Sequence, residues 1–411
     1  MNANRANHTD HFNHTDHADY ASFGYLDDEP SAFARFPLAP ESGRVPAYDG
    51  GFDAATVERA ERLLAQHIVV SLHDHPVRFP ADMALTPQYN RTGRQHTAFD
   101  GLAASGLTVV FDNMMDGTAY VTGNTPWQWD DVVTDLGMRQ ADIAHQDRVV
   151  VVRTLRDIQF AHETGRVGIA FGLEAATPIG NDLDKLDVLF GLGVRQVGIA
   201  YSDSTGLGAG LNEPVDYGLT AFGRRAVKRM NDLGLAIDLS HASDRTGIET
   251  AAASRAPVLM THAGARALWD IPRLKGDDVL RAVADTGGVI GISAAPHTTI
   301  SASHRTHSIA SVMDHFHYCA DLVGLDHVGF GPDTLYGDHV GLHRTFAGLL
   351  GHPASAGPEH PVVEYVDGLE NPSESFHNIA AWLVRDGLSD EEIVKVLGGN
   401  TLRARAAIWP A

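Results

Sequence analysis

The chain has 411 residues, of which 44% are hydrophobic, and its longest apolar runs, such as VVVV at 149–152, are far too short to cross a bilayer. Its formal net charge of −21 repels polyanions at long range, so we expect no nucleic-acid partner. The single cysteine, Cys319, excludes an intrachain disulfide and is consistent with a cytoplasmic protein. From the short apolar runs we also expect no membrane partner.

Residues 1–50 are rich in His, Asp, Asn, Ser and Pro and show no sustained apolar period. We predict a polar, histidine-rich N-terminal arm that is partly disordered or wraps a neighbouring subunit, which leaves a homo-oligomer open. Histidines recur in this arm at intervals of three, at His8, His11, His14 and His17. A polar arm without a metal site is the simpler interpretation of this spacing. The arm also lacks the basic and apolar regions of a secretory signal.

From residue 54 onward, helix and strand patterns alternate along the chain. A first helix, DAATVERAERLLAQH, leads directly into the strand IVVSLH at 68–73. Seven further apolar runs are predicted as strands, at 107–113, 167–174, 195–201, 235–241, 256–262, 288–293 and 327–333. Continuous apolar runs separated by amphipathic segments are typical of a parallel sheet that is covered by helices. We therefore predict that residues 51–411 form one α/β domain, a (β/α)₈ TIM-like barrel.

An open, doubly wound sheet is the alternative fold. No G-x-G-x-x-G follows the first strand to support the dinucleotide site that such a sheet often carries. Two longer connections, 76–100 and 334–372, interrupt the alternation of strand and helix. In a barrel they would be long loops over the carboxyl-terminal face, acting as lids or substrate walls.

Chemically versatile side chains end most of the predicted strands. The first strand closes in His73, Asp74 and His75, and because side chains alternate along a strand, both imidazoles point to the same side. The carboxyl ends of barrel strands form one face of the molecule, so strand-ending residues converge there. The remaining candidates are Glu174, Tyr201, His241, His262 and Asp333.

Imidazole and carboxylate groups without thiolates predict a divalent metal site, most simply for zinc, with manganese, iron or cobalt as alternatives. The candidates suffice for two ions per chain, with the two first-strand histidines on one ion, His241 and His262 on the other, and Glu174 between them. One ion per chain is the other possibility. A metal pair would activate a hydroxide and polarise a carbonyl. Asp333 would then carry the proton from the attacking water to the leaving nitrogen.

The motifs of the chain resemble those of the membrane dipeptidase (renal dipeptidase) family of metallopeptidases, within the amidohydrolase superfamily. The resemblance covers about residues 54–404 and rests on motifs in the family's order: GLE (172–174), DLSH (238–241), TH followed by AGARAL (261–268), RLKGDDVL (273–280), HVGFGPD (327–333), GLENPSE (368–374) and KVLGGNTLR (395–403). It implies a binuclear zinc barrel that hydrolyses dipeptides, sometimes with a D-residue at the C-terminal position, and in some members a β-lactam amide.

The resemblance also implies individual roles. Glu174 would bridge the metals, and His241 and His262 would bind the second one. Asp333 would handle the proton, and Arg273 would receive the substrate carboxylate, for which a guanidinium is suited because it forms two parallel hydrogen bonds. The family's apolar membrane anchor has no counterpart in this sequence, which agrees with the expected absence of a membrane partner.

Two positions depart from the family's pattern. The family has an aspartate on the first strand where this chain has His75, so the metal there is expected to be held differently or to have a lower occupancy. Tyr201 stands where the family has a histidine that contacts the scissile carbonyl. We predict that Tyr201 contacts the substrate and assists catalysis, because its hydroxyl can donate a hydrogen bond to a developing oxyanion.

Three functions remain open from the sequence. The leading hypothesis is a metallo-dipeptidase, with a small dipeptide as its substrate. An alternative is an amidohydrolase of the same fold that acts on another small amide, a lactam or an N-acyl amino acid. The third hypothesis, a binding protein without catalysis, is weakened by the presence of Asp333 and Glu174.

Overall fold

The structure is a computed structural model that describes residues 20–114, 127–350 and 358–410. The four evenly spaced histidines of the N-terminal arm, His8, His11, His14 and His17, lie outside the described residues. Of the predicted N-terminal arm, the part from Tyr20 onward is described, and it lies against the same chain. Tyr20 Oη, Ser22 Oγ and the Phe23 backbone N–H all donate to the Asp142 carboxylate, at 2.7, 2.6 and 2.6 Å.

A curled sheet of parallel strands forms the centre of the molecule. Its strands are β1 (Val70–Arg78), β2 (His96–Thr97), β3 (Val109–Met114), β4 (Val149–Val151), β5 (Val167–Leu173), β6 (Gln196–Gly198), β7 (Ala236–Asp238), β8 (Leu259–Ala263), β9 (Val289–Ile292), β10 (Val328–Phe330) and β11 (Leu335–Tyr336). The order along the sheet is β10-β9-β8-β7-β6-β5-β3-β1-β11. All eight predicted strands are confirmed, as β1, β3 and β5 to β10.

The two ends of the sheet are joined by the chain that follows β10. The Asp333 N–H donates to the His73 carbonyl oxygen at 3.0 Å, and the His75 N–H donates to the Thr334 carbonyl oxygen at 2.8 Å. The strand β11 then pairs with β1 in parallel. Because β11 directly continues the course of β10, these bonds close the predicted barrel between its first and last strands.

Besides β11, two short strands were not predicted. The run VVVV includes β4, which pairs with the amino end of β5, from Val149 opposite Val167 to Val151 opposite Ile169. The strand β2 pairs antiparallel with the far end of β1 and belongs to the connection 76–100. Both additions leave the order of the eight barrel strands unchanged.

Helices pack around the sheet. They are α1 (Ala54–Gln66), α2 (Thr86–Thr92), α3 (Phe99–Ala103), α4 (Trp129–Ile143), α5 (Leu155–Thr164), α6 (Asp184–Gly191), α7 (Ala221–Leu233), α8 (Asp244–Ala253), α9 (Asp277–Asp285), α10 (Ile309–Val323), α11 (His339–Leu350), α12 (Pro372–Arg385), α13 (Asp390–Val394) and α14 (Asn400–Ile408). Short 3₁₀ turns cover Gly24–Leu26, Met83–Leu85, Thr177–Ile179 and Leu325–His327, and a π turn covers Lys395–Gly399.

The helix α7 shows how the sequence sets these elements. Thr220 caps its amino end by accepting from the Gly223 N–H, and Gly234 ends it in the left-handed region at φ 75°. Between these caps, Ala226, Val227 and Met230 are buried and face the sheet. Among the described residues, no helix combines the length and apolarity needed to cross a bilayer.

Candidate metal centre

His73 and His75 lie on β1 and project from the same face of the strand into the carboxyl end of the barrel. Both side chains are buried, and their Nε2 atoms are 3.3 Å apart. Asp74, between them, points to the other face, as the alternation of a strand requires. Its carboxylate accepts from Ser71 Oγ at 2.6 Å and from the Thr334 N–H and Oγ1, each at 2.7 Å. Asp74 therefore fixes the junction between β1 and the chain that follows β10.

Two carboxylates face the first-strand histidines. Asp333 Oδ1 lies 3.1 Å from Nε2 of both His73 and His75. Glu174 directly follows β5, and its Oε1 lies 3.2 Å from His73 Nε2 and 3.5 Å from His75 Nε2. Asp333 has a φ of 63°, in the left-handed region that residues other than glycine rarely adopt. This conformation turns its carboxylate toward the two imidazoles.

His241 follows β7 and His262 lies in β8, with their Nε2 atoms 2.9 Å apart. The His262 ring stacks on the His73 ring at 3.5 Å between centroids, which joins the two histidine pairs. Tyr201 stacks on His241 at 4.1 Å. Ligand atoms of four residues all lie within 4.8 Å of one another, namely those of His73, Glu174, His262 and Asp333. This group contains three of the five predicted metal ligands together with Asp333, and the other two, His75 and His241, lie beside it against His73 and His262.

Charge is unevenly distributed over these groups. Burial, and secondly Arg273, hold the pKa of His241 well below its usual value, and burial together with His73 does the same for His262. Burial would raise the pKa of Asp333, but the imidazoles of His73 and His262 outweigh it and hold this pKa well below the usual range. Two neutral imidazoles therefore lie beside an ionised carboxylate.

The donor set fits divalent metal ions. Buried imidazole nitrogens and carboxylate oxygens converge without a thiolate, as in nitrogen- and oxygen-ligated zinc sites. Within the described part of the chain, the buried atoms Glu174 Oε2 and His241 Nδ1 have no hydrogen-bond partner. Buried polar atoms are normally paired, so a free carboxylate oxygen at this point is consistent with a site that a cation completes.

A second layer of polar side chains supports the histidines. Asn113 Nδ2 lies 2.7 Å from His73 Nδ1, and Thr261 Oγ1 lies 2.9 Å from His262 Nδ1. Neither residue was predicted from the sequence as part of the site. Asn113 does end a predicted strand, as the site residues do, and Thr261 directly precedes His262, so position alone was a signal for both.

Arg273 lies against the rim of this centre and is only 8% exposed. Its Nη1 donates to the Ser240 carbonyl oxygen at 3.1 Å, and its Nη2 donates to the His262 carbonyl oxygen at 2.9 Å. Asp277, four residues later in the sequence, accepts a hydrogen bond from Tyr318 Oη. The guanidinium is thus held next to the histidines by backbone contacts.

The connection 334–372 adds two more imidazoles, His339 and His343, on α11. Their ring centroids are 4.7 Å apart, one helical turn from each other. Burial lowers the pKa of His343 to about 4, and Asp333 is close enough to act on it in the opposite direction. This agrees with the predicted position of the connection as a wall over the strand ends.

The model of the family "membrane dipeptidase (peptidase family M19)" matches residues 57–353. Dipeptidase aclJ of Aspergillus oryzae is 31% identical over 294 residues, which are 68% of this chain and 62% of that protein. Dipeptidase 3 of Rattus norvegicus is 28% identical over 248 residues, 59% of this chain and 45% of that protein. The chain spans between 45% and 64% of the length of the four dipeptidases with which it was compared, three of them fungal and one from rat.

Solved structures share the fold. An amidohydrolase from Pseudomonas aeruginosa superposes with a TM-score of 0.70 at 24% identity, over 85% of this chain and 99% of that one. A metallopeptidase from Rhodobacter sphaeroides, bound to a phosphinate mimic of the dipeptide L-Ala-D-Ala, superposes with a TM-score of 0.63 at 21% identity, over 84% of this chain and 99% of that one. The curled barrel is therefore an architecture common to these proteins.

Proposed function

Because this chain belongs to the membrane dipeptidase family, we propose that it is a metallo-dipeptidase that hydrolyses the amide bond of small dipeptides. The observation that carries the proposal is the buried convergence of His73, Glu174, His262 and Asp333 within 4.8 Å. We further propose that the metal is zinc and that each chain holds two ions, since the donors are imidazoles and carboxylates.

The proposed ligands divide into two positions. His73 and His75 would hold one ion, which we name the first metal position, and His241 and His262 would hold the other, the second metal position. Glu174 would contribute to both. When bound, the metal supplies polarisation of the scissile carbonyl and activation of the attacking water.

Asp333 is proposed to carry the proton. Its Oδ1 lies 3.1 Å from both imidazoles of β1, so it is placed where the attacking water would meet the substrate. Asp333 is ionised at neutral pH, which is the form of a carboxylate that can accept a proton from that water. The same group would return the proton to the leaving nitrogen.

Arg273 and Tyr201 are proposed to hold the substrate. Two hydrogen bonds to carbonyl oxygens fix the guanidinium of Arg273, and a guanidinium has five N–H donors, so others remain for a carboxylate. Tyr201 lies on the neighbouring His241 ring, where its hydroxyl would donate to the oxygen of the scissile carbonyl.

Metal content and turnover together test the proposal. Protein purified without chelators should contain zinc on elemental analysis and should hydrolyse members of a panel of dipeptides with an L- or a D-residue at the C-terminal position. Chelation should abolish turnover, and added zinc should restore it. Protein that holds no metal after growth with zinc, or holds zinc but cleaves no dipeptide, would contradict it.

The alternative substrate class is another small amide, a lactam or an N-acyl amino acid. It is favoured by Tyr201, which stands where the family has a histidine. Substrates with and without a free carboxylate separate the two hypotheses, because Arg273 matters only if a carboxylate is bound. The cytoplasmic location, a homo-oligomer, the division at residue 50 and the absence of nucleic-acid and membrane partners stay predictions.

A further inference from the structure

A chain of buried polar side chains runs through the barrel interior from α14 to the metal centre. It begins at Arg405, whose Nη2 donates to Gln196 Oε1. Gln196 Nε2 then donates to Asn113 Oδ1 at 2.8 Å, and Asn113 Nδ2 lies 2.7 Å from His73 Nδ1. All four side chains are fully buried. A Cβ atom at Gly172 would lie 1.9 Å from Asn113 Oδ1, so a glycine is required beside this chain, which we name the relay.

The direction of every bond in the relay follows from Arg405. Burial lowers the pKa of this guanidinium to about 9, which leaves it protonated at neutral pH with donors only. Gln196 must therefore turn its oxygen to Arg405 and its amide nitrogen to Asn113. Asn113 must in turn direct its own amide nitrogen at His73. Nδ1 of His73 is thus an acceptor, and the ring proton lies on Nε2, which faces Asp333 Oδ1 at 3.1 Å.

A second set of hydrogen bonds ends on His262, and there the Nδ1 atom of the ring is the donor, whereas Nδ1 of His73 is an acceptor. Thr261 Oγ1 donates to the Asp238 carboxylate at 2.7 Å, and Ser240 Oγ donates to the same carboxylate at 2.7 Å. The single hydroxyl proton of Thr261 is therefore engaged. The 2.9 Å contact between Thr261 Oγ1 and His262 Nδ1 must then be donated by the ring N–H. This leaves the lone pair of His262 on Nε2, which faces the centre.

Metal binding by a neutral imidazole needs a lone pair on the ligating nitrogen and a proton on the other one, held by a hydrogen-bond acceptor. His262 is already in this state. His241 Nε2 then donates to His262 Nε2, but its Nδ1 has no hydrogen-bond partner among the described residues, so no neighbouring donor prevents the proton from moving to Nδ1. His73 is in the opposite state, because the lone pair lies on Nδ1 and the proton occupies the nitrogen that would bind the metal.

The carboxylates near His73 favour a different state, with both ring nitrogens protonated. Glu174 Oε1 and Asp333 Oδ1 lie 3.2 and 3.1 Å from His73 Nε2, so both carboxylates attract a positive charge to this ring. A proton on Nδ1 would face the N–H of Asn113 across 2.7 Å, a contact between two donors. The relay therefore decides which nitrogen carries the proton.

We propose that Arg405, Gln196 and Asn113 are positioning residues that make the first metal position bind zinc more weakly than the second. The two positions then fill in order, with His241 and His262 loaded first. This inference rests on the proposed function, because it concerns the same metal centre. Loading the first position breaks one buried hydrogen bond, so we expect a difference of about tenfold to a hundredfold in dissociation constant.

Zinc titration of the metal-free protein against a competing chelator measures both constants. The decisive variant is Gln196→Glu. The new carboxylate has only acceptors, so it accepts from Arg405 and from Asn113 Nδ2, which turns Asn113 Oδ1 toward His73. His73 then donates from Nδ1 and has its lone pair on Nε2. The first position should bind zinc about tenfold or more tightly than in the wild type, with the second unchanged.

The Asn113→Leu background tests whether Gln196→Glu acts through the relay or only through its added negative charge. Without the amide, the relay does not reach His73, so Gln196→Glu should have no effect on either constant in the Asn113→Leu background. An equal effect in both backgrounds would show a simple electrostatic attraction and would overturn the proposal. Equal zinc dissociation constants at the two metal positions of the wild-type protein would also overturn the proposal.

Nitrogen-15 NMR of labelled histidines tests the relay without any metal. The His73 signals are identified by their loss in His73→Gln. We expect the ring proton on Nε2 in the metal-free wild type and on Nδ1 in Gln196→Glu. A wild-type His73 protonated on Nδ1, or on both nitrogens, would overturn the inference. Failure to bind zinc at all would contradict the proposed function, while this spectrum would still decide the direction of the relay.

Discussion

Asp333 shows how much at this centre depends on one residue. Its carboxylate faces both imidazoles of β1, and its backbone adopts a left-handed φ of 63°. Asp333→Asn keeps the shape of the side chain but removes the base. We expect turnover to fall by about 10²-fold or more while the zinc content measured by elemental analysis is retained. Loss of zinc together with activity would instead make Asp333 a metal ligand.

Arg273 is the residue through which the proposed substrate class can be tested. Arg273→Lys keeps the charge but loses the two parallel hydrogen bonds of a guanidinium, so KM for dipeptides with a free carboxylate should rise by about tenfold or more. Steady-state kinetics on a C-terminally amidated analogue provides the control, since that substrate offers no carboxylate and should be nearly unaffected. Equal changes for both substrates would remove Arg273 from the substrate site.

The proposed ligand set could be predicted from the sequence because each of its members lies at the end of an apolar run that is recognisable as a strand. The relay could not be anticipated, since Gln196 and Asn113 meet only where Gly172 leaves room between β3 and β6. The role of Asp74 was equally hidden. Its partner Thr334 is distant in sequence, and only closure of the barrel brings the two together.

At the scale of single elements, α10 contains a histidine that should make the fold sensitive to acid. His315 is fully buried, its Nδ1 accepts from the Ala265 N–H at 3.0 Å, and its Nε2–H donates to the Ile300 carbonyl oxygen at 2.8 Å. Burial lowers its pKa to about 4. The unfolded chain takes up this proton near pH 6.5, so the stability from this group is present above that pH and is lost as the pH falls toward 4.

Urea unfolding at two pH values measures this effect. Between about pH 7 and about pH 5, His315 should account for a loss of about 2 kcal/mol in the free energy of unfolding. His315→Gln offers an amide with a donor and an acceptor but no titration in this range, so its loss should be smaller by that amount. Equal losses in the two proteins would mean that His315 does not determine the acid response.

Sequence patterns predicted most elements, because buried parallel strands are short continuous apolar runs and amphipathic helices repeat their apolar residues with the helical period. The strand β4 was not predicted, since a run of four valines does not by itself distinguish a short strand from the end of a buried helix. Its assignment depends on pairing with the amino end of β5, which is a property of the assembled sheet.

Considered as a whole, the molecule should gain stability from its metal. In the proposed function zinc binds the folded centre and finds only scattered ligands in the unfolded chain, so it should shift the unfolding equilibrium by mass action. At free zinc about 100 times its dissociation constant, the gain should be about 2.7 kcal/mol. Thermal unfolding with zinc and with a chelator measures the change in Tm. A Tm that is the same in both conditions would contradict metal binding at this centre.

The junction that closes the barrel also separates the carboxylate of Asp333 from the wall that follows it in the chain. The turn at 331–334 carries Asp333 and is held to β1, and β11 then secures the chain again through the Phe79 N–H and the Tyr336 carbonyl oxygen, 2.8 Å apart. The wall that includes α11 begins only after this second attachment, and it ends where Asp367 accepts from the Ile309 N–H. We therefore expect that insertions and deletions between Tyr336 and Asp367 would reshape this wall without moving the carboxylate of Asp333. With the proposed function, substrate range could then change while the group that carries the proton stays in place.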